Sequence, residues 1–253
     1  MSFSSEVKEE LAKQFGRSRH CQIAELAGIL ELEGMLDEEG KLVVSNENSL
    51  LQKIFGEKQE VLQIMQTLHW DQEPYRSRKI NHRRADGMLV QQTCCKRAFI
   101  RGAFMAAGSI SDPNKSYHFE IVCHTLEQAQ QLKELMEFFE AEPKIVERKE
   151  RMVVYLKEGS QIVDLLNVME AYVSLMNLEN VRILKEMRNS VNRKVNCETA
   201  NINKTVNAAV KQMEDIKRIR DTIGFDNIPE PLAEIAQARL DYPEATLKEL
   251  GTY

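Results

Sequence analysis

The sequence predicts an α+β protein in which a helix–strand–helix–hairpin–helix unit occurs twice, followed by a long helix and a small all-helical end. Three observations predict it. Two apolar helices ending in glycine, LAGILELEG at Leu26–Gly34 and IRGAFMAAG at Ile100–Gly108, recur with a repeat of about 70–80 residues. Short segments of period-two alternation follow them, strongest in residues 117–125 and 143–157. From Ile202 the apolar residues return at steps of three and four, the mark of a single helix with one apolar stripe.

Taken in order, SSEVKEELAKQF begins with Ser4 or Ser5 as a helix cap and an acid in the first turn. After Gly16 the basic turn RSRH leads into a helix from about Cys21 to Met35. Ile23, Leu26, Ala27 and Leu30 sit there at helical spacing, and Gly34 stands in the place of a C′ glycine. KLVVS reads as a strand; SLLQKIF and EVLQIMQTL read as amphipathic helices. In the second copy KRAFIRGAFMAAGS is a helix, SDPNKS a turn, YHFEIVCHT a strand and LEQAQQLKELMEFFE a helix. PKIVERKERMVVYLK is a hairpin around Glu150-Arg151, and SQIVDLLNVME is a further helix. No matching hairpin shows in the first copy, where QEPYRSRKINHRRADG is too polar and too basic for a packed strand pair.

Beyond Val191, NRKVNCETANINKT is polar, with Thr199 or Asn201 able to cap the helix that follows. Its stripe is Ile202, Val206, Ala209, Met213, Ile216, Ile219 and Ile223, and Gly224 ends it. A Pro-started helix over 231–242, a Pro-containing turn and a helix beginning at Thr246 complete the chain. The expected division is 1–92 for the first repeat (hairpin degenerate or missing) and 93–190 for the second. Residues 191–224 form a linker and long helix, and 225–253 a terminal helical domain.

The chain of 253 residues is 43% hydrophobic and 29% charged, an ordinary globular composition. No apolar run approaches the roughly 18 residues of a membrane span, and MSFSSEVKEEL reads as a capped helix start instead of a signal peptide. Five scattered cysteines in no CxxC or Cys/His spacing imply reduced thiols in a cytoplasmic protein and no metal. Cys94-Cys95 read as packing residues, the five histidines lack ligand spacing, and no glycine-rich phosphate loop is present, so no cofactor is expected. The net charge of −5 hides a polarity: residues 182–220 hold ten Lys/Arg against four acids, and residues 221–253 hold seven acids against two bases.

Gly28 and Gly102 occupy matching places inside the two helices, beside Ala27 and Arg101 respectively. Glycine in a helix interior costs roughly 1 kcal/mol relative to alanine. A repeated cost points to close approach of the two helix backbones at Gly28 and Gly102.

LAGILELEG resembles the LAGLIDADG motif of homing endonucleases, and IRGAFMAAG resembles a degenerate second copy. In that family the two helices pack at a pseudo-twofold axis, and each carries a metal-binding acid at the eighth motif position. Here those positions are Glu33 and Ala107. A methyl group cannot ligate a metal, and one carboxylate holds Mg²⁺ weakly, so the resemblance implies a vestigial site and no enzyme.

The segments CCKRAFIRGAFMAAGSISDPNKSYHFEIV, VVYLKEGSQIVDLL, ENVRILKEMRNSVNRKVNCETANINKT and IPEPLAEIAQARLDYPEATLKELG make the chain similar to the WhiA family of Gram-positive bacteria. The likeness covers nearly the whole length and is weakest over residues 45–92. It implies a catalytically inactive LAGLIDADG-like domain joined to a helix-turn-helix domain, in a nucleoid-associated regulator of transcription linked to sporulation, cell division or chromosome biology. By the family pattern Thr246–Gly251 opens the helix-turn-helix, and its recognition helix would follow Tyr253, so that the domain is expected to be partial.

The expected partner is double-stranded promoter DNA. Candidate phosphate contacts are Arg182, Lys185, Arg188, Arg193, Lys194, Lys204 and Lys211. A second group is Arg76, Arg78, Lys79, Arg83 and Arg84. Nuclease relatives straddle DNA with their sheets, which adds Lys144, Arg148, Arg151 and Lys157 of the hairpin. Two other readings compete: a metal-dependent DNA endonuclease using Glu33, and a protein-interaction scaffold using the apolar stripe of the long helix.

Overall fold

The computed structural model describes residues 2–14, 16, 18–36, 38–39, 41–44, 49–65 and 85–251. Two compact units divide the chain, Met1–Ile183 and Leu184–Tyr253. The division falls inside a helix, seven residues before the boundary expected at residue 190. Both repeats belong to the first unit and share one core.

In the first unit, helix α1 (Phe3–Ala12) is capped by Ser2, whose hydroxyl accepts from the Ser5 amide at 3.2 Å. The cap is thus earlier than Ser4 or Ser5. Helices α2 (Arg19–Glu33) and α5 (Thr93–Ala107) are the two motif helices. Each is buried without interruption over nine residues, Ala24–Leu32 and Ala98–Ala106, with Glu25, Glu31 and Arg101 as the charged exceptions among apolar and small side chains. A helix with apolar residues on every side has to sit inside a fold.

Both motif helices pass directly into strands, β1 (Gly34–Leu36) and β3 (Gly108–Ile110). Three residues are too few to show alternation, and neither strand is visible in the sequence. Gly34 is not a left-handed C′ residue, since its backbone is extended with φ −74°. Its requirement is steric: an ideal Cβ would stand 2.3 Å from the Leu30 carbonyl oxygen. At Gly108 the same atom would stand 2.6 Å from the Phe104 carbonyl oxygen.

After β1 the chain forms β2 (Leu42–Val44), which pairs antiparallel with β1, then α3 (Ser49–Glu57) and α4 (Gln59–Met65). The expected first-copy hairpin segment lies almost wholly outside the described residues. A 3₁₀ turn over Gly87–Val90 leads into α5. The second copy continues through β4 (Phe119–Cys123), α6 (Leu126–Glu137), β5 (Lys144–Arg148), β6 (Arg151–Leu156) and α7 (Gly159–Met169). Its four antiparallel strands run in the order β3-β4-β6-β5. Ile121, Val154 and Ile145 stand in register on the face that meets the core, and the Phe104 ring stacks on Phe119 at 5.0 Å.

The hairpin turns at Lys149-Glu150, one residue before the turn expected at Glu150-Arg151, with φ of 49° and 62°. Two positive φ values in a two-residue loop match a primed turn, which Asn-Gly adopts with less strain than Lys-Glu. Helix α8 (Tyr172–Thr222) starts in this unit, where Glu10 of α1 accepts from the amides of Val173 at 2.7 Å and Ser174 at 2.9 Å. That carboxylate serves as a cap supplied from elsewhere in the chain.

In the second unit α8 runs through residues 191–201 without a break, so no linker separates two helices there. Thr199 and Asn201 cap nothing. Instead Thr205 bonds back to the Asn201 carbonyl at 3.0 Å, and the segment holds no Gly or Pro to stop the helix. Gly224, at φ 81°, ends α8 and donates to the Ile219 carbonyl at 3.2 Å. A 3₁₀ turn over Phe225–Asn227, α9 (Glu230–Asp241) and α10 (Leu247–Leu250) follow. Thr246 and Glu249 form a capping box at α10, and Arg239 holds the intervening loop by donating to the Ala245 carbonyl at 2.5 Å.

Replacing Lys149-Glu150 by Asn-Gly relieves two left-handed side-chain residues. The expected gain is about 1 kcal/mol in chemical unfolding; an unchanged or lower midpoint contradicts the turn assignment.

Candidate functional site

The helix pair α2–α5 is the scaffold of the site. An ideal Cβ on Gly28 would stand 2.4 Å from the Phe99 carbonyl oxygen, and one on Gly102 would stand 2.0 Å from the Glu25 carbonyl oxygen. Each glycine therefore receives the backbone of the residue three places before its counterpart. The contact is reciprocal, as a pseudo-twofold axis requires.

Beside the glycines lies a buried ion pair. Arg101 donates through Nε and Nη2 to the two oxygens of Glu25, both at 2.9 Å, and through Nη1 to Glu170 at 2.8 Å. Arg101 is 3% exposed and Glu25 0%. Burial pushes the Glu25 carboxyl up, against the pull of Arg101. Burial also works against the Arg101 charge, but the bonds and charge of Glu25, then of Glu170, outweigh it and hold the guanidinium above its usual range. Glu170 is the left-handed residue that ends α7, with φ 69°. The sequence shows Arg101 only as the residue aligned with Ala27.

Glu33 and Ala107 are the last residues of α2 and α5, and both are half-buried. Lys8 of α1, whose Nζ lies 5.9 Å from the centre of the Phe104 ring, feels the charge of Glu33. Burial lowers the Lys8 amine and the charge of Glu33 opposes that shift. The end of the helix pair thus presents one motif carboxylate and one methyl group.

The structure gathers the hairpin cations. Lys144 and Arg148 on β5, Arg151 on β6 and Lys157 just after it share the sheet face turned away from the core, with Tyr155 and Glu120. Lys157 lies over the Tyr155 ring at 5.3 Å. Glu120 partly offsets the charge, 3.0 Å from His118 and 3.5 Å from Arg148. Arg148 stands directly opposite Arg151. Like charges placed so are destabilising, an arrangement suited to an anion.

The helix cations are more dispersed. Arg182 is engaged with Glu179 through two hydrogen bonds at 2.8 and 2.5 Å. Arg193, Lys204 and Lys211 are exposed and, at 3.6 residues per turn, fall along one side of α8. Lys185 is half-buried, Arg188 and Lys194 are exposed, and all three lie at other angles. Arg76, Arg78, Lys79, Arg83 and Arg84 lie outside the described residues, as does Trp70.

One cluster escapes sequence reading altogether. The donor atoms of His20, Cys21, Cys94 and Cys95 lie within 4.8 Å of one another. The two dipeptides are 74 positions apart in the chain, so no spacing rule joins them. Burial, then hydrogen bonding and charge from Cys94, push the Cys21 thiol up to about 12.

Two helices that touch through glycines at a pseudo-twofold, with an antiparallel sheet beneath, define a LAGLIDADG-type domain with one of its two acids missing. A family model described as the WhiA LAGLIDADG-like domain matches residues 96–188, and one described as the WhiA C-terminal HTH domain matches residues 191–253. A probable cell division protein WhiA of Lachnoclostridium phytofermentans is 50% identical, covering 99% of this chain and 91% of the relative. The counterpart from Lachnospira eligens is 46% identical, covering 99% and 89%. The crystal structure of full-length WhiA from T. maritima superimposes with a TM-score of 0.61 at 25% identity, covering 100% of this chain and 91% of that one. The chain belongs to the WhiA family.

Breaking the buried pair by Glu25→Leu leaves Arg101 charged in the seam and should cost about 3–5 kcal/mol. The double variant Glu25→Leu/Arg101→Met should recover most of that loss in urea unfolding. Equal losses in both would show that packing, not the uncompensated charge, sets the cost.

Proposed function

We propose that the chain is a DNA-binding regulator of the WhiA type that binds duplex DNA without cutting it and serves cell division or sporulation. The observation that carries this reading is the end of the helix pair. Ala107 stands at the second acid position of the motif, so that Glu33 is the one motif carboxylate there. Phosphodiester cleavage on divalent metal needs carboxylates to hold the ions, and a single carboxylate holds Mg²⁺ weakly. The match of residues 191–253 to a helix-turn-helix domain supports DNA as the partner, as do the names of the relatives for the cell-division role.

On this reading the sheet face with Lys144, Arg148, Arg151 and Lys157 adds phosphate contacts, and the second unit carries the sequence-reading element. Promoter DNA and a place on the nucleoid follow as the expected setting. Among the described residues no helix is long and apolar enough to cross a membrane.

A second reading has its own observation. Leu184, Val191, Val195, Ile202 and Val206 are all more than half exposed and line one side of α8, opposite Arg193, Lys204 and Lys211. Such a stripe fits an interaction with a protein partner, compatible with DNA binding through the other side.

Duplex binding followed by fluorescence anisotropy over a salt series tests the proposal. Arg148→Ala and Arg151→Ala should each weaken binding across sequences and reduce the salt slope by about 0.9. Unchanged slopes would remove the sheet face from the interface, and no binding at low salt would overturn the DNA-binding reading.

A further inference from the structure

We propose that His20, Cys21, Cys94 and Cys95 form a Cys₃His site that binds one Zn²⁺ ion and ties together the first turns of α2 and α5.

The donor set fits zinc in kind and in number. Four protein ligands of sulfur and imidazole nitrogen make a closed tetrahedral site, the structural type with no position left for a substrate. The distances fit as well. Zinc–sulfur bonds near 2.3 Å and zinc–nitrogen bonds near 2.0–2.1 Å set edges of about 3.6 Å between N and S and about 3.8 Å between two S atoms. His20 Nδ1 stands 3.2 Å from Cys95 Sγ and 3.4 Å from Cys21 Sγ, and all four donors lie within 4.8 Å. Side-chain shifts of roughly an ångström close the cluster onto an ion of these bond lengths.

The fold places these donors by the symmetry that pairs the glycines. His20 and Cys21 precede Gly28 by eight and seven residues, and Cys94 and Cys95 precede Gly102 by the same eight and seven. Seven residues complete two helical turns to within about 20°. Cys21 and Cys95 therefore lie on the glycine side of each helix, the side turned to the seam. Ala24, Ala98 and Cys95 pack together there with Cys21 against them. Where the seam reaches the helix starts, small apolar side chains give way to four ligand atoms.

Charge favours the same occupant. Three thiolates and a neutral imidazole around Zn²⁺ leave one net negative charge. It would sit at the N-terminal ends of two helices, each with about half a positive charge from its aligned peptide dipoles. Two of the four donors, His20 and Cys94, are on exposed residues, so an ion can enter from solvent.

The test is metal analysis of the full chain, purified under reducing conditions without chelator, by mass spectrometry of its elemental content. One zinc per chain is expected. Co²⁺ exchanged into the site should give a thiolate charge-transfer band and the intense visible bands of tetrahedral coordination. Thiol titration of the zinc form should find Cys197 reactive and Cys21, Cys94 and Cys95 protected until a chelator is added. The variants His20→Ala and Cys94→Ser, both at exposed positions, should lose the metal while keeping the native circular dichroism, and Cys197→Ser should retain it. Co²⁺ titration of the unaltered chain stands independently of how the variants fold. Substoichiometric zinc with all three thiols freely reactive would overturn the proposal. So would a disulfide among Cys21, Cys94 and Cys95, or metal retained in full by both variants.

Discussion

The close approach of α2 and α5 at Gly28 and Gly102 is the constraint on which the first unit depends. With a carbonyl oxygen 2.0–2.4 Å from where each Cβ would stand, no other residue fits without moving a backbone. That contact places Glu25 against Arg101, brings the helix starts together at Cys21 and Cys95, and sets the ends of the helices at Glu33 and Ala107. It also fixes where β1 and β3 begin, since both strands leave directly from the paired helices. The interior glycines cost helix propensity, which the burial of the apolar side chains in the two nine-residue buried segments offsets.

Structure and chemistry part company at the two ends of this seam. At its C-terminal end the two motif positions hold Glu33 and Ala107, one carboxylate and one methyl group. At its N-terminal end the same pseudo-twofold gathers three thiols and an imidazole. A scaffold that in the resembling nucleases presents metal at one end thus offers a donor set of a different kind at the other. The middle of the seam holds Arg101 with Glu25 and Glu170, charges whose satisfaction depends on the helix pair staying closed.

Much of this was legible in the sequence. The two glycine-ended helices are visible because apolar and small residues dominate them, and β4, α6 and α7 because their periodicities are clean. Other features hide for physical reasons. β1 and β3 are three residues long. The unbroken run of α8 through residues 191–201 depends on exposed polar side chains that bond along the helix instead of capping it, as Thr205 does. The turn at Lys149-Glu150 carries no glycine or asparagine to announce its positive φ values. The Glu25–Arg101 pair and the His20–Cys21–Cys94–Cys95 cluster join residues more than 70 positions apart, and only the packed helices bring them together.

On the proposed reading the motif helices serve as a packing scaffold and not as a cleavage site. Incubation of the chain with supercoiled plasmid in Mg²⁺ or Mn²⁺ tests it most directly. The plasmid is expected to stay supercoiled while the same preparation retards duplex DNA at low salt. Metal-dependent nicking that disappears in Glu33→Ala would contradict it.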